Sequence, residues 1–181
     1  MKVGRDKIGE IVEPKKKVSR SSGISPTLLQ ISHQEMPVEI AKQVKMALNT
    51  CPKSSIGILT HPSSTTRLRD AISKELDRLN IKHHAPENSQ DRMANLVQRP
   101  YVIVDSWNAV KGVEFDAVII AGVDLATEES DNDRDFQEKA GLYVAMTRSR
   151  DHLIMLYQDK TPTIEMIEEC LKSPDQLSCE S

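Results

Sequence analysis

Three short stretches of this chain hold residue types suited to handling phosphate and sugar. The first is Ser106-Trp107-Asn108-Ala109-Val110-Lys111-Gly112-Val113-Glu114-Phe115-Asp116. Lys111 offers a point charge for a phosphate, Gly112 permits close backbone approach, and Glu114 can accept two hydrogen bonds from a ribose diol. A turn with a solvated Lys/Glu pair would use the same residues. The second is Gly141-Leu142-Tyr143-Val144-Ala145-Met146-Thr147-Arg148-Ser149-Arg150. Here an apolar helix face would anchor the backbone while Arg148 projects from the last turn toward the strand ends. An arginine offered to a γ-phosphate stabilises charge as it develops, an effect worth ~10³ to 10⁵ in rate. Arginines at a helix C-terminus also simply complement the dipole, a reading that suits Arg150.

The third stretch is Ser63-Ser64-Thr65-Thr66-Arg67-Leu68-Arg69. Ser and Thr suit an N-cap and first turn. Arginines there meet the positive end of the dipole, at a cost of roughly 0.3–1 kcal/mol each. Binding an anion could offset that cost, Asp70 could neutralise part of it, and two solvated arginines on an exposed face are the plain alternative.

The elements that must carry these stretches follow from periodicity. Residues 1–26 are rich in Lys, Ser and Gly and show no sustained period, so they read as a basic linker or loose arm. Residues 27–32 form a short apolar run, and Met36-Pro37 opens a helix with apolar positions Ile40, Ala41, Val44 and Leu48. SIGILT (55–60), YVIVD (101–105), DAVIIAG (116–122) and HLIMLY (152–157) read as buried strands. Between and after them come helices with faces Leu68/Ile72/Leu76/Leu79, Phe136/Ala140/Tyr143/Val144/Thr147 and Ile164/Ile167/Leu171. Apolar strands alternating with amphipathic helices predict one α/β domain over 27–172, a mainly parallel sheet flanked by helices. Ligands in such folds sit beyond the carboxyl ends of the strands. Residues 173–181 read as a disordered tail.

Composition bounds the function. The 181 residues are 38% hydrophobic and 28% charged, enough for a sizeable core, and no apolar run approaches the ~18 residues of a membrane span. Neither a signal peptide nor a disulfide or zinc framework is visible, since Cys51, Cys170 and Cys179 lie far apart. A cytoplasmic protein without membrane contact is expected. Net charge is −3, but residues 1–20 hold seven Lys/Arg against three acids, and residues 124–138 hold seven acids against Arg134 alone. The six aromatic rings all fall after residue 100.

These motifs together resemble a known family. VDSWNAVKGVEFDAVII is similar to motif V of UvrD/Rep-type superfamily 1 DNA helicases, LYVAMTRSRDHLIML to motif VI, and GILTHPSSTTRLRDAI, less specifically, to motif IV. The resemblance covers about residues 27–158 and implies a RecA-like three-layer domain, the second of two that enclose an interdomain ATP site. By position, Arg148 resembles the arginine finger, Arg67 a second γ-phosphate arginine, and Glu114 the ribose-binding residue, with Gly112 beside it. Ser106 and Asn108 stand where family members commonly place a Thr and a His against the DNA backbone, so the carry-over to DNA is less direct. Lys111 and Trp107 join that DNA-facing set, Trp107 as the one ring placed to meet a base.

Two absences shape the expected mechanism. No GxxxxGK[ST] occurs, so ATP and its Mg²⁺ would have to be held by a separate P-loop domain, and this chain alone would not hydrolyse ATP. Only 43 positions separate Arg67 from Lys111, too few for the helical subdomain that UvrD and Rep insert there. The resemblance therefore implies half of an ATP-dependent helicase that tracks single-stranded DNA. A stand-alone module that binds nucleic acid or a partner without catalysis is the alternative, and a subunit completing another chain's ATP site is a third. A P-loop encoded upstream of Met1 would separate them.

Three other features read plainly. Asp131-Asn132-Asp133-Arg134-Asp135 starts like a calcium loop, but Phe136 stands where Gly is needed and Leu142 where Glu is needed, so no metal site is expected. His83-His84 reads as surface, and Lys15-Lys16-Lys17 as part of a basic linker. Tyr101 and Tyr157 are expected to pack within strands, and Phe115, Phe136 and Tyr143 to brace the backbone around motifs V and VI.

Overall fold

A computed structural model describes residues 25–87, 91, 101–110, 112–126 and 133–172, apart from the side chains of 64–66 and 133–138. Its strands are β1 (Thr27–Gln30), β2 (Ile56–Thr60), β3 (His83–His84), β4 (Val102–Ser106), β5 (Phe115–Ala121) and β6 (Ser149–Tyr157). Its helices are α1 (Met36–Thr50), α2 (Thr65–Arg78), α3 (Asp133–Met146) and α4 (Pro162–Lys172). Short 3₁₀ turns cover Pro62–Ser64, Trp107–Ala109 and Val123–Leu125.

The six strands form one sheet in the order β1-β6-β5-β2-β4-β3, and every neighbouring pair is parallel. All five residues of β2 are buried, and β5 is buried except at Asp116, as expected of central strands covered on both faces. Successive side chains alternate between the faces. Ile58, Val104, Ile119 and Leu156 join Ile40 and Val44 of α1 and Leu68, Ile72 and Leu76 of α2 in one core. Leu59, Val118, Ile120 and Met155 join Leu142 and Ala145 of α3 and Ile164 of α4 in the other. The result is the expected three-layer α/β arrangement.

Local chemistry accounts for the boundaries. Pro37 in the first turn of α1 lacks only an N–H that the helix would leave unpaired there. Glu39 in the same turn suits the dipole. At the start of β5, the Ser55 N–H and hydroxyl donate to Asp116 Oδ2 at 2.7 and 2.9 Å, and the Asp116 N–H donates to Ser55 Oγ at 3.0 Å. That clasp ties β5 to the entry of β2 and sets their register.

Three expectations need correction. His83-His84 is the edge strand β3, half-buried and paired with Val102 and Ile103, although neither residue is apolar. The buried side of α3 is Leu142 and Ala145, with Gly141 packed close to its neighbours, whereas Tyr143 is 62% exposed and Ala140 is exposed. A helix seated through small residues can approach its neighbours closely, and this outweighs burial of the ring. Tyr101 likewise stands outside β4 and is exposed, while Tyr157 packs as expected.

Candidate functional site

Parallel strands give the sheet two chemically distinct ends, and the residues singled out divide between them. At the amino ends of β5 and β6, the Phe115 N–H donates to the Arg148 carbonyl at 2.9 Å, joining the end of the first motif to the end of the second. Phe115 is buried, and its ring lies where a Cβ on Gly57 would be, 2.7 Å away. Gly57 must therefore be glycine for β2 to pass beneath that ring. Just before Phe115, Gly112 is exposed with φ +80°, a left-handed conformation that favours glycine, and Glu114 is exposed.

Arg148 sits in the tight turn between α3 and β6, beyond the helix's last residue. The Thr147 N–H donates to Tyr143 O and the Arg148 N–H to Ala145 O, both at 3.1 Å, while Thr147 Oγ1 donates to Val144 O at 2.8 Å. The backbone at Arg148 is thus held on both sides, by the helix end and by Phe115. Its side chain is half-buried, and Nε, buried, has no hydrogen-bond partner among the described residues. Such a guanidinium retains donor capacity for an anion. Arg150 is a strand residue that donates from Nε to Glu114 Oε2 at 2.9 Å, which corrects its expected place at a helix terminus.

At the carboxyl ends lie the remaining residues. Ser106 ends β4 half-buried, its N–H donating to Asp105 Oδ1 at 2.8 Å. Asn108 is exposed, and its Oδ1 lies against Gly141 of α3, where a Cβ would have to push the amide aside. Trp107 corrects the expectation of a base-facing ring: it is only 1% exposed. Its indole meets the His61 ring edge-on, centroids 4.7 Å apart and planes at 88°. The Ser63 N–H donates to His61 Nδ1 at 3.1 Å, and the Ser63 hydroxyl is 2.6 Å from the same nitrogen. Lys111 lies outside the described residues.

The third stretch also divides. Arg67 is exposed in the first turn of α2, directly after the carboxyl end of β2. Thr60 is level with Ala121 and Phe115 with Ser149, so this end is six residues, about 20 Å, from the level of Arg148. Arg67 and Arg148 therefore do not converge on one phosphate within this chain, because the turn into α2 leaves the opposite end of the sheet. Arg69 is committed internally as well, donating to Pro86 O at 2.6 Å and lying 3.9 Å from the buried Asp105. Glu114 and Arg148, expected at the carboxyl ends with the others, flank the amino ends of β5 and β6 instead.

Sequence reading missed Gly141, His61 and the Arg69–Asp105 and Glu114–Arg150 pairs. The Gly141–Asn108, His61–Trp107, Arg69–Asp105 and Glu114–Arg150 contacts each join elements distant in sequence, so none has a local signal. One perturbed cluster stands apart from both ends: burial first, and the Glu168 carboxylate second, raise the Tyr157 hydroxyl above its ordinary range. Lys160, 3.1 Å from Glu168, holds that carboxylate below its ordinary range. Among the described residues no cluster of three or more His, Cys, Asp or Glu could hold a metal ion. Nor is any helix long and apolar enough to cross a membrane.

Known proteins share parts of this arrangement. Residues 101–156, which span both motifs, match the UvrD-like helicase C-terminal domain. The C-terminal domain of a possible DNA helicase from Lactobacillus plantarum WCFS1 superposes with a TM-score of 0.56 at 18% identity, covering 82% of this chain and 84% of that one. The C-terminal domain of the DEAD-box protein Dbp5 superposes with a TM-score of 0.55 at 10% identity, covering 84% and 86%. No curated protein sequence matches the chain. The chain thus shares a three-layer RecA-like fold with these two domains along most of its length, and residues 101–156 carry its similarity to the UvrD-like helicase C-terminal domain.

Proposed function

We propose that this chain is the second RecA-like domain of an ATP-dependent superfamily 1 DNA helicase, working in the cytoplasm against a P-loop domain that holds ATP and Mg²⁺. The observation that supports the reading is the bond from the Phe115 N–H to the Arg148 carbonyl, which joins the strand that follows Gly112 and Glu114 to the backbone of Arg148. Arg148 supplies positive charge toward the γ-phosphate from a backbone braced on both sides. Glu114 accepts from the ribose hydroxyls, and Gly112 lets the backbone approach the nucleotide. Ser106 and Asn108 contact the backbone of single-stranded DNA from the carboxyl end, and Lys111 adds a positive charge for the same phosphates. Trp107 supports that turn from within and does not stack on a base, and Arg67 serves no phosphate that Arg148 serves.

The second reading is a module that binds nucleic acid or a partner without catalysis. One experiment separates the two. The chain is joined to, or mixed with, a P-loop domain of the same helicase class, and ATP hydrolysis stimulated by single-stranded DNA is measured. Arg148→Ala should lower turnover by ~10³-fold or more while leaving the circular dichroism of the chain unchanged. Normal turnover in that variant would refute the arginine's role, and absence of any stimulated hydrolysis with the unaltered chain would favour the binding module.

A further inference from the structure

We propose that residues 8–12 of the chain's own N-terminal arm dock into the apolar groove between α3 and α4. The two helices lie on the same face of the sheet yet leave between them a cavity of about 420 Å³. It is floored by Leu153 and Met155 and walled by Met146, Met166 and Ile167. Tyr143 and Met166, on its two sides, are 62% and 51% exposed. Large apolar side chains left open around a concave surface mark a place that another apolar segment covers.

The entry point of the chain selects the occupant. Pro26, immediately before β1, itself lines the groove, so the chain enters β1 along this wall. The arm's main apolar cluster is Ile8, Ile11 and Val12, spaced i, i+3, i+4 so that one helical turn would put all three on a single face. The thirteen residues from 13 to 25 can span about 45 Å, against roughly 16 Å for the length of α4, so the tether is ample.

Charge agrees with this seating. The first twenty residues carry seven Lys/Arg against three acids, whereas α4 carries Glu165 and Glu169 besides Glu168, which Lys160 and Lys172 already hold, and Lys139 also lines the groove. The basic segment Lys15-Lys16-Lys17 follows the apolar cluster directly and would cross the acidic α4 as Ile8, Ile11 and Val12 fill the groove. This docking is independent of the nucleotide-site reading and survives its failure.

Cys170 lines the groove and is an exposed thiol, which supplies the test. In the full chain with Cys51→Ser and Cys179→Ser, Ile11→Cys is oxidised with diamide and the disulfide to Cys170 is read by peptide mass spectrometry. An intramolecular bond should form at least ~10-fold faster than from Lys2→Cys, which has a comparable tether outside the apolar cluster, and at a rate independent of protein concentration. Equal rates from the two positions, or cross-linked dimers whose yield rises with concentration, would overturn docking in cis. In the chain with its native Ile8 and Ile11 both changed to Asp, the reaction of Cys170 with a maleimide should accelerate several-fold while Trp107 emission is unchanged. An unaltered maleimide rate would overturn the proposal as well.

Discussion

Arg150 Nε donates to Glu114 Oε2 across 2.9 Å, so the carboxylate proposed for a ribose is already engaged by a strand residue thirty-six positions away. Both side chains are more than half exposed, 54% and 55%, which leaves the pair screened by water. Exposed pairs of this kind contribute ~0–1 kcal/mol, so an incoming diol can displace the guanidinium at little cost. Arg150→Ala should therefore change the urea-unfolding free energy by less than ~1 kcal/mol, and a double-mutant cycle with Glu114→Gln should give a coupling of similar size. A coupling above ~2 kcal/mol would make the pair a structural clasp and remove Glu114 from the nucleotide site.

Gly141 predicts a different outcome from Gly112. A methyl at Gly141 would collide with Asn108 Oδ1 and lie 3.3 Å from Cδ1 and Nε1 of Trp107. Gly141→Ala should destabilise by ~1–3 kcal/mol through overpacking and shift Trp107 emission. Gly112 has open space around it but φ +80°, so Gly112→Ala should cost ~1–2 kcal/mol of backbone strain and leave the emission alone. Superimposable spectra for Gly141→Ala and the parent would show that α3 is not seated on this turn.

Burial of Trp107, the only tryptophan, makes it an internal reporter. Its emission should be blue-shifted and resist acrylamide, and single-stranded DNA should not quench it by stacking. Trp107→Ala should cost about 3–5 kcal/mol, the loss expected for a large buried ring. Acrylamide quenching at the level of a free indole would refute this placement.

The Tyr157–Glu168–Lys160 cluster predicts a pH dependence. Tyr157 is raised by burial and then by Glu168, so its contribution is full below its unfolded value and is lost as pH rises through its folded one. Lys160, raised first by its hydrogen bond to Glu168, has the same sign. Glu168 is lowered, chiefly by Lys160, so its contribution is present above the ordinary carboxylate range and lost as pH falls through its folded value. Thermal stability should thus decline above about pH 10 and again in acid, and Glu168→Gln should flatten both limbs. Identical pH profiles for variant and parent would show that these groups do not act on stability.

Much of the fold is legible residue by residue. Continuous apolar runs such as Ile56–Thr60 and Phe115–Ala121 could only be buried strands, and Ile40/Ala41/Val44 and Leu68/Ile72/Leu76 state which helix faces they cover. The strand His83–His84 was invisible because its stability comes from pairing with Val102 and Ile103, not from its own side chains. In α3, apolar residues occur on more than one side, so periodicity alone chose Tyr143 where packing chose Leu142 and Ala145.

By itself the sequence determined the α/β class, the order of strands and helices along the chain, and the motifs that resemble those of a helicase C-terminal domain. These depend on periodicity and spacing, which are local properties. Only the tertiary structure decided that Arg148 and Arg67 flank opposite ends of the sheet, that Glu114 meets Arg150, and that Trp107 is a core residue. The physical reason is strand direction and register. In a parallel sheet every connection must cross from one end to the other, so neighbours in a motif such as Ser106 and Glu114 finish at opposite ends. Residues as distant as Phe115 and Arg148, by contrast, become hydrogen-bond partners.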